Sequence, residues 1–156
     1  MQASRVNALP LTPAELGAWR GFLRAHGALV HELDLELRAA HDLSLHEYEV
    51  LLVLGEAPGE RMRMSDLAAA VLLSQSGLTR LVDRLVGAGS VERMRCEDDR
   101  RGLNARLTAA GRTRLDQARP THLRGVRCRF LGRFDAGELH VLAGFWERLA
   151  PGATAD

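Results

Sequence analysis

After Gly87-Ala88-Gly89 the spacing of the apolar residues switches from helical to extended, and this switch constrains the fold more than any other feature of the chain. Before it, Leu78, Leu81, Val82 and Leu85 recur at intervals of three and four, on one face of a helix that runs from a Ser74 cap to about Val86. A shorter helix is expected over residues 66–72, with Ser65 as its cap and Asp66 at its positive dipole end. After the switch, Val91-Glu92-Arg93-Met94-Arg95 and Leu103-Asn104-Ala105-Arg106-Leu107 alternate with period two. Between them lies the polar, turn-prone stretch Glu97-Asp98-Asp99-Arg100-Arg101-Gly102, so the pair reads as a β-hairpin with a long charged tip. Two short helices on a tight connection, followed at once by a hairpin, predict a winged helix-turn-helix.

The flanking segments are helical. Thr12-Pro13-Ala14-Glu15 is a capping box with proline at the first helical position. It predicts a helix over residues 13 to about 40, striped by Leu16, Trp19, Leu23, Leu29, Val30, Leu33 and Leu37. At 1.5 Å per residue such a helix spans roughly 40 Å, more than one domain of this size needs, so part of it should pack on something else. Ser44-Leu45-His46-Glu47 is a second capping box, opening a helix to about Leu54 that Ala57-Pro58-Gly59 ends. Thr108 caps a helix over residues 109–133, in which Pro120 predicts a kink or break near Arg119. A last amphipathic helix, residues 136–149, presents Leu139, Leu142, Phe145, Trp146 and Leu149.

Composition bounds the alternatives. A chain of 156 residues that is 46% hydrophobic and 26% charged is globular and needs no disulfide or metal staple. No run approaches 18 uncharged apolar residues and no secretory apolar segment stands near the start, so a cytoplasmic chain with no membrane partner is expected. The net charge of +1 hides an asymmetry: residues 1–60 carry −5, 61–106 carry +3, 107–133 carry +6 and 134–156 carry −3. A middle of +9 suggests a polyanion partner. All 21 basic residues are Arg, which suits bidentate phosphate and guanine contacts, although a GC-rich genome produces the same bias.

The helix after Ser74 carries Gln75, Ser76, Thr79, Arg80, Asp83 and Arg84 opposite its apolar face. Gln pairs with adenine, Arg with guanine, and the hydroxyls with bases or phosphates. By itself this is equally a solvated helix face. The hairpin tips the balance toward double-stranded DNA, because Arg100 and Arg101 sit at its tip with Arg93, Arg95 and Arg106 along its strands. Arginine on a projecting β-tip suits a narrow minor groove.

Enzymatic readings fare worse. Neither Ser74 nor Ser76 has the glycine two residues before it that a nucleophile elbow needs. The six histidines form no H-x-x-x-H pair, His41-Asp42 and His46-Glu47 are better read as helix-end residues, and no glycine-rich phosphate loop appears. No enzyme, metal or cofactor is expected.

These residues also carry a family resemblance. Ser65-Asp66-Leu67-Ala68, then Leu73 through Leu85 (LSQSGLTRLVDRL), then Asp99-Arg100-Arg101-Gly102 with Leu107-Thr108-Ala109-Ala110-Gly111, resemble the multiple-antibiotic-resistance regulator (MarR) family. The resemblance covers the whole chain. It implies a mainly α fold with a small β-hairpin wing and a helical dimerisation layer, in a homodimeric regulator of transcription, usually a repressor. Residues 1–42 and 109–156 would build the dimer layer and residues 43–108 the DNA-binding lobe. On the matching positions, Ser65, Ser74, Gln75, Ser76, Thr79, Arg80, Arg84, Arg93, Asp99, Arg100 and Arg101 would meet a promoter operator. A crevice between lobe and dimer layer would take a small aromatic or phenolic effector, for which Arg20, His26, His31 and Tyr48 are the candidates. Two departures stand out. Cys96-Glu97-Asp98-Asp99 makes the tip acidic, which opposes phosphate, and Ser90 replaces a leucine, which should loosen the root of the wing.

Two alternatives stay open. Cys96, flanked by arginines, would suit a redox-sensing regulator, with Cys128 expected at an interface. A winged-helix protein-interaction module without DNA is the other.

Overall fold

The computed structural model describes residues 10–95 and 102–152. Helix α1 (Pro13–His41) starts at the Thr12 capping box, where Thr12 N–H donates to Glu15 Oε2 at 2.7 Å and Glu15 N–H to Thr12 Oγ1 at 3.3 Å. The second box opens α2 (Leu45–Glu56), and a single 3₁₀ turn, Pro58–Glu60, follows it. Then come β1 (Arg61–Arg63), α3 (Met64–Ala70), α4 (Gln75–Gly87), β2 (Val91–Arg95), β3 (Leu103–Leu107), α5 (Ala109–Arg129) and α6 (Ala136–Leu149). The protein is mainly α, with one small antiparallel sheet of order β1-β3-β2.

Helix α2 is the centre of the core. Leu45, Tyr48, Val50, Leu51 and Leu54 are buried, against Leu67 of α3, Leu78, Leu81, Val82 and Leu85 of α4, and Leu115 and Ala118 of α5. The sheet adds Val91, Ala105 and Leu107, with Val91 opposite Leu107. Helix α5 packs along the second half of α1, whose stripe buries only Leu33 and Leu37. Toward its start the same stripe is open, with Trp19 53% and Leu23 48% exposed, and α6 has no buried residue. No helix among the described residues is long and apolar enough to cross a membrane.

Four expectations need correction. Strand β1 was not legible: it exists through its pairing with β3, Arg61 opposite Arg106 and Arg63 opposite Asn104. Helix α3 begins at Met64, one residue after its N-cap Arg63, which forms no side-chain cap bond; Ser65 is therefore inside the first turn and donates to Asp66 Oδ1 at 3.1 Å. Helix α5 runs unbroken past Pro120. The carbonyl that loses its donor there belongs to Asp116, which like Pro120 is exposed, so water can satisfy it while Ala118, Thr121 and Gly125 stay packed on the other side. The helix ends at Arg129, and residues 131–133 form a 3₁₀ turn.

Ser90 does not loosen the root of the wing. It is buried, its N–H donates to Leu85 O at 2.9 Å, and its carbonyl accepts from Thr108 N–H at 3.1 Å. A Cβ at Gly111 would lie 2.0 Å from the Ser90 carbonyl oxygen, so only glycine allows α5 to start this close.

Candidate nucleic-acid interface

Helices α3 and α4 form the helix pair, and α4 presents the polar face read from the sequence. Ser74 is its N-cap: Oγ accepts from Gly77 N–H at 3.1 Å and lies 3.3 Å from Ser76 Oγ. Gln75, Ser76, Thr79 and Arg80 are exposed, and Arg80 makes no ion pair among the described residues. The Thr79 hydroxyl donates to Gln75 O at 2.8 Å, which leaves its oxygen to accept.

The other two arginines expected at this face fix α4 in place. Arg84 Nε donates to Glu47 Oε1 at 3.1 Å, tying α4 to the start of α2. Burial opposes ionisation of Glu47, but the Ser44 N–H and hydroxyl together with Arg84 outweigh it and hold the carboxyl below its ordinary range. Arg93 of β2 pairs with Asp83 Oδ1 at 2.7 Å and donates to Thr79 O at 3.3 Å, joining the wing to α4.

Between α3, α4 and the sheet lies a notch of about 420 Å³, lined by Arg63, Ser65, Thr79, Arg93 and Leu103 among others. Three residues expected from the sequence, Ser65, Thr79 and Arg93, meet there. Arg61 and Arg63 are a gain over the sequence reading, which could not place them without β1. On the outward face of the sheet Arg61 stands opposite Arg106, which pairs with Glu92. Asp99, Arg100, Arg101 and Cys96 lie outside the described residues.

Much of the positive charge of residues 107–133 points elsewhere. Arg112 donates to Glu60 Oε1 and, at 2.8 Å, to Gly55 O. Arg114 donates to Asp42 O at 2.5 Å and His41 O at 3.4 Å, at the C-terminal end of α1. Arg129 pairs with Glu32 at 3.1 Å and Glu36 at 2.6 Å. Along the sequence these charges suggest a polyanion partner, whereas in the fold they join α5 to α1, to α2 and to the turn after it.

The four effector candidates do not converge. Tyr48 is buried in the core with its ring 4.5 Å from that of His122, and burial raises its phenol pKa. Burial also pushes the His122 imidazole below its ordinary value, and its buried Nδ1 lacks a hydrogen-bond partner. His26 stacks on Phe22, whose ring lies 5.7 Å from that of Trp146 in α6. Arg20 and His31 are exposed on α1. Cys128 is exposed in this chain. No group of three or more His, Cys, Asp or Glu among the described residues could hold a metal ion.

A helix-turn-helix followed by a sheet-built wing, framed by long outer helices, defines a winged helix-turn-helix protein. A family model described as MarR family matches residues 41–102. The chain is similar to AbsC, a MarR family transcriptional regulator from Streptomyces coelicolor, at 37% identity and TM-score 0.86, covering 92% of this chain and 96% of that one. It is also similar to Sco3205, from the same organism and solved in complex with DNA, at 31% identity and TM-score 0.88, covering 95% and 94%. This chain belongs to the MarR family, whose members are transcriptional regulators rather than enzymes. Among curated proteins it is 31% identical over 84 residues to the HTH-type transcriptional repressor YetL of Bacillus subtilis, 54% of this chain and 50% of that one, so it spans about half the length of that relative.

Proposed function

We propose that this protein represses transcription as a homodimer, placing two copies of α4 in successive major grooves of a near-palindromic operator. The observation that carries the reading is the exposed Gln75, Ser76, Thr79 and Arg80 face of α4, held by Arg84 and Arg93 beside an arginine-lined notch. Successive major grooves on one side of the duplex lie roughly 34 Å apart, and only a paired molecule reads both. Support for pairing comes from the open apolar faces of α6 and the start of α1, where Trp19, Phe22, Val141, Phe145 and Leu149 meet solvent in a single chain. Residues 1–42 and 109–156 form the dimer layer in this reading, and 43–108 the DNA-binding lobe. The wing reaches the flanking minor groove through one of its arginines, and the protein works in the cytoplasm.

Relief comes from a small aromatic or phenolic acid between lobe and dimer layer, acting only as far as it favours the conformation that does not fit DNA. The DNA held in the Sco3205 structure supports the operator contact, and similarity to the repressor YetL supports repression.

Binding to a duplex from the upstream region should fall steeply with salt, since phosphate contacts release counterions. Arg80→Ala should relax discrimination at one base pair by about 1–3 kcal/mol and leave the other positions intact. A flat salt curve, with no discrimination lost in Arg80→Ala, identifies the chain as a protein-interaction module instead.

A further inference from the structure

We propose that Thr79 reads the 5-methyl group of one thymine in each half-site. The inference rests on the DNA-binding reading above and assigns what one position of the α4 face selects.

Thr79 is exposed, lies on α4 one turn after Gln75 and lines the notch beside the wing. A threonine has one hydroxyl hydrogen. Here it is engaged within the helix, on Gln75 O at 2.8 Å. Phosphate oxygens, guanine O6 and N7, adenine N7 and thymine O4 are acceptors, so this hydroxyl has no hydrogen to give them. Its oxygen can still accept, which would suit the amine of adenine or cytosine. The surrounding charge opposes that choice. Arg93 Nη2 donates to the Thr79 carbonyl at 3.3 Å, and Arg80 follows next in the chain without an ion pair among the described residues. The nearby carboxylate, Asp83, is already paired with Arg93 at 2.7 Å. Two guanidinium groups repel the positive edge of an amine and favour a base edge that accepts.

Two bases show only acceptors in the major groove. Guanine offers O6 and N7, and thymine offers O4 beside an apolar methyl. On a staggered Cβ whose oxygen is turned back along the helix, the γ-methyl is the group Thr79 has left to offer. A methyl set among guanidinium donors matches the thymine edge, and guanine has no apolar group to meet it. The ligand is a thymine of duplex DNA.

The test uses a duplex that the whole protein selects from a random-sequence pool. Replacing each thymine of one half-site in turn by deoxyuridine removes the methyl and leaves base pairing and O4 in place. One such replacement should weaken wild-type binding about four-fold, as the loss of one buried methyl does. Thr79→Ser keeps the hydroxyl and loses the methyl, so it should bind that deoxyuridine duplex and its thymine parent equally. Thr79→Val keeps a methyl and loses the hydroxyl, and should retain the four-fold preference. Both variants should keep the wild-type salt slope, because no phosphate contact is removed. The proposal is overturned if wild type and Thr79→Ser respond alike to every replacement. It is also overturned if Thr79→Ser keeps the preference and Thr79→Val loses it, which would make the hydroxyl the reading group. If the wild type selects no duplex, the DNA reading itself fails, whereas salt-dependent selection without a methyl effect removes this inference alone.

Discussion

The arginines of α5 and those around α4 share a side chain and differ in what faces them. Along α5, Arg112, Arg114 and Arg129 meet Glu60, the last carbonyls of α1, and Glu32 with Glu36. Around α4, Arg80 makes no ion pair among the described residues and meets solvent, while Arg93, paired with Asp83 of α4 itself, lines a notch. The acidic first 60 residues explain the difference. Helix α1 and the 3₁₀ turn after α2 hold carboxylates where α5 packs, so a charge block that reads as a polyanion footprint in sequence is partly consumed inside the molecule. Charge counted along a chain predicts a partner only after the charges that answer one another in the fold are removed.

The sharpest way to break this comparison is at Arg114. Its replacement by Ala strips two carbonyls at the C-terminal end of α1 of a charged donor and should cost about 2–3 kcal/mol of stability in urea unfolding. DNA affinity, measured where the variant is still folded, should not change. A stable variant that binds DNA weakly would place Arg114 with the wrong set.

Arg84 sharpens the boundary, since it lies on α4 yet behaves as a scaffold. Glu47→Ala removes its partner and the α2 capping box together, and should cost about 1 kcal/mol. Because the folded carboxyl titrates below its unfolded value, this contribution is present above about pH 4.5 and is lost as pH falls through the depressed folded pKa. The variant should therefore lose less stability on acidification than the wild type, which unfolding curves at pH 6 and pH 4 would compare.

The smallest effect is a slope. Burial holds the His122 imidazole below its ordinary value, so the unfolded chain takes up the proton first and stability declines as pH drops below about 6.5. His122→Phe, which keeps a ring against Tyr48, should flatten melting temperature between pH 7 and pH 5. An unchanged slope would show that His122 does not report the contact of α5 with α2.

How much of this was legible in the sequence follows from how local each signal is. Thr12, Ser44 and Ser74 bond to a backbone N–H three residues on, so the starts of α1, α2 and α4 could be read directly. The alternation of Val91–Arg95 and Leu103–Leu107 gave the two long strands for the same reason. Strand β1 is three residues, Arg-Met-Arg, too short to alternate, and it is defined by a partner some 45 positions away. Ser65 had the right chemistry for a cap and the wrong place, because β1 feeds α3 one residue early. Pro120 strands a carbonyl that here faces water, and sequence does not say which side of α5 faces water. Arg80 was found because its face is set by helical spacing. The place of Arg63 is set by a sheet and the burial of Tyr48 by packing in three dimensions, neither of which spacing along the chain shows.

The central claim is that the charge offered to DNA lies on α4 and the wing rather than on α5. It is tested most directly by the salt dependence of duplex binding in two double variants, Arg80→Gln with Arg93→Gln, and Arg124→Gln with Arg127→Gln on exposed positions of α5. With about 0.9 of slope for each phosphate contact and two protomers on the operator, the first pair should lower the slope by about two for each arginine that meets phosphate, and the second should leave it at the wild-type value. A slope that falls with the α5 pair and stands unchanged with the α4 and wing pair would contradict the account.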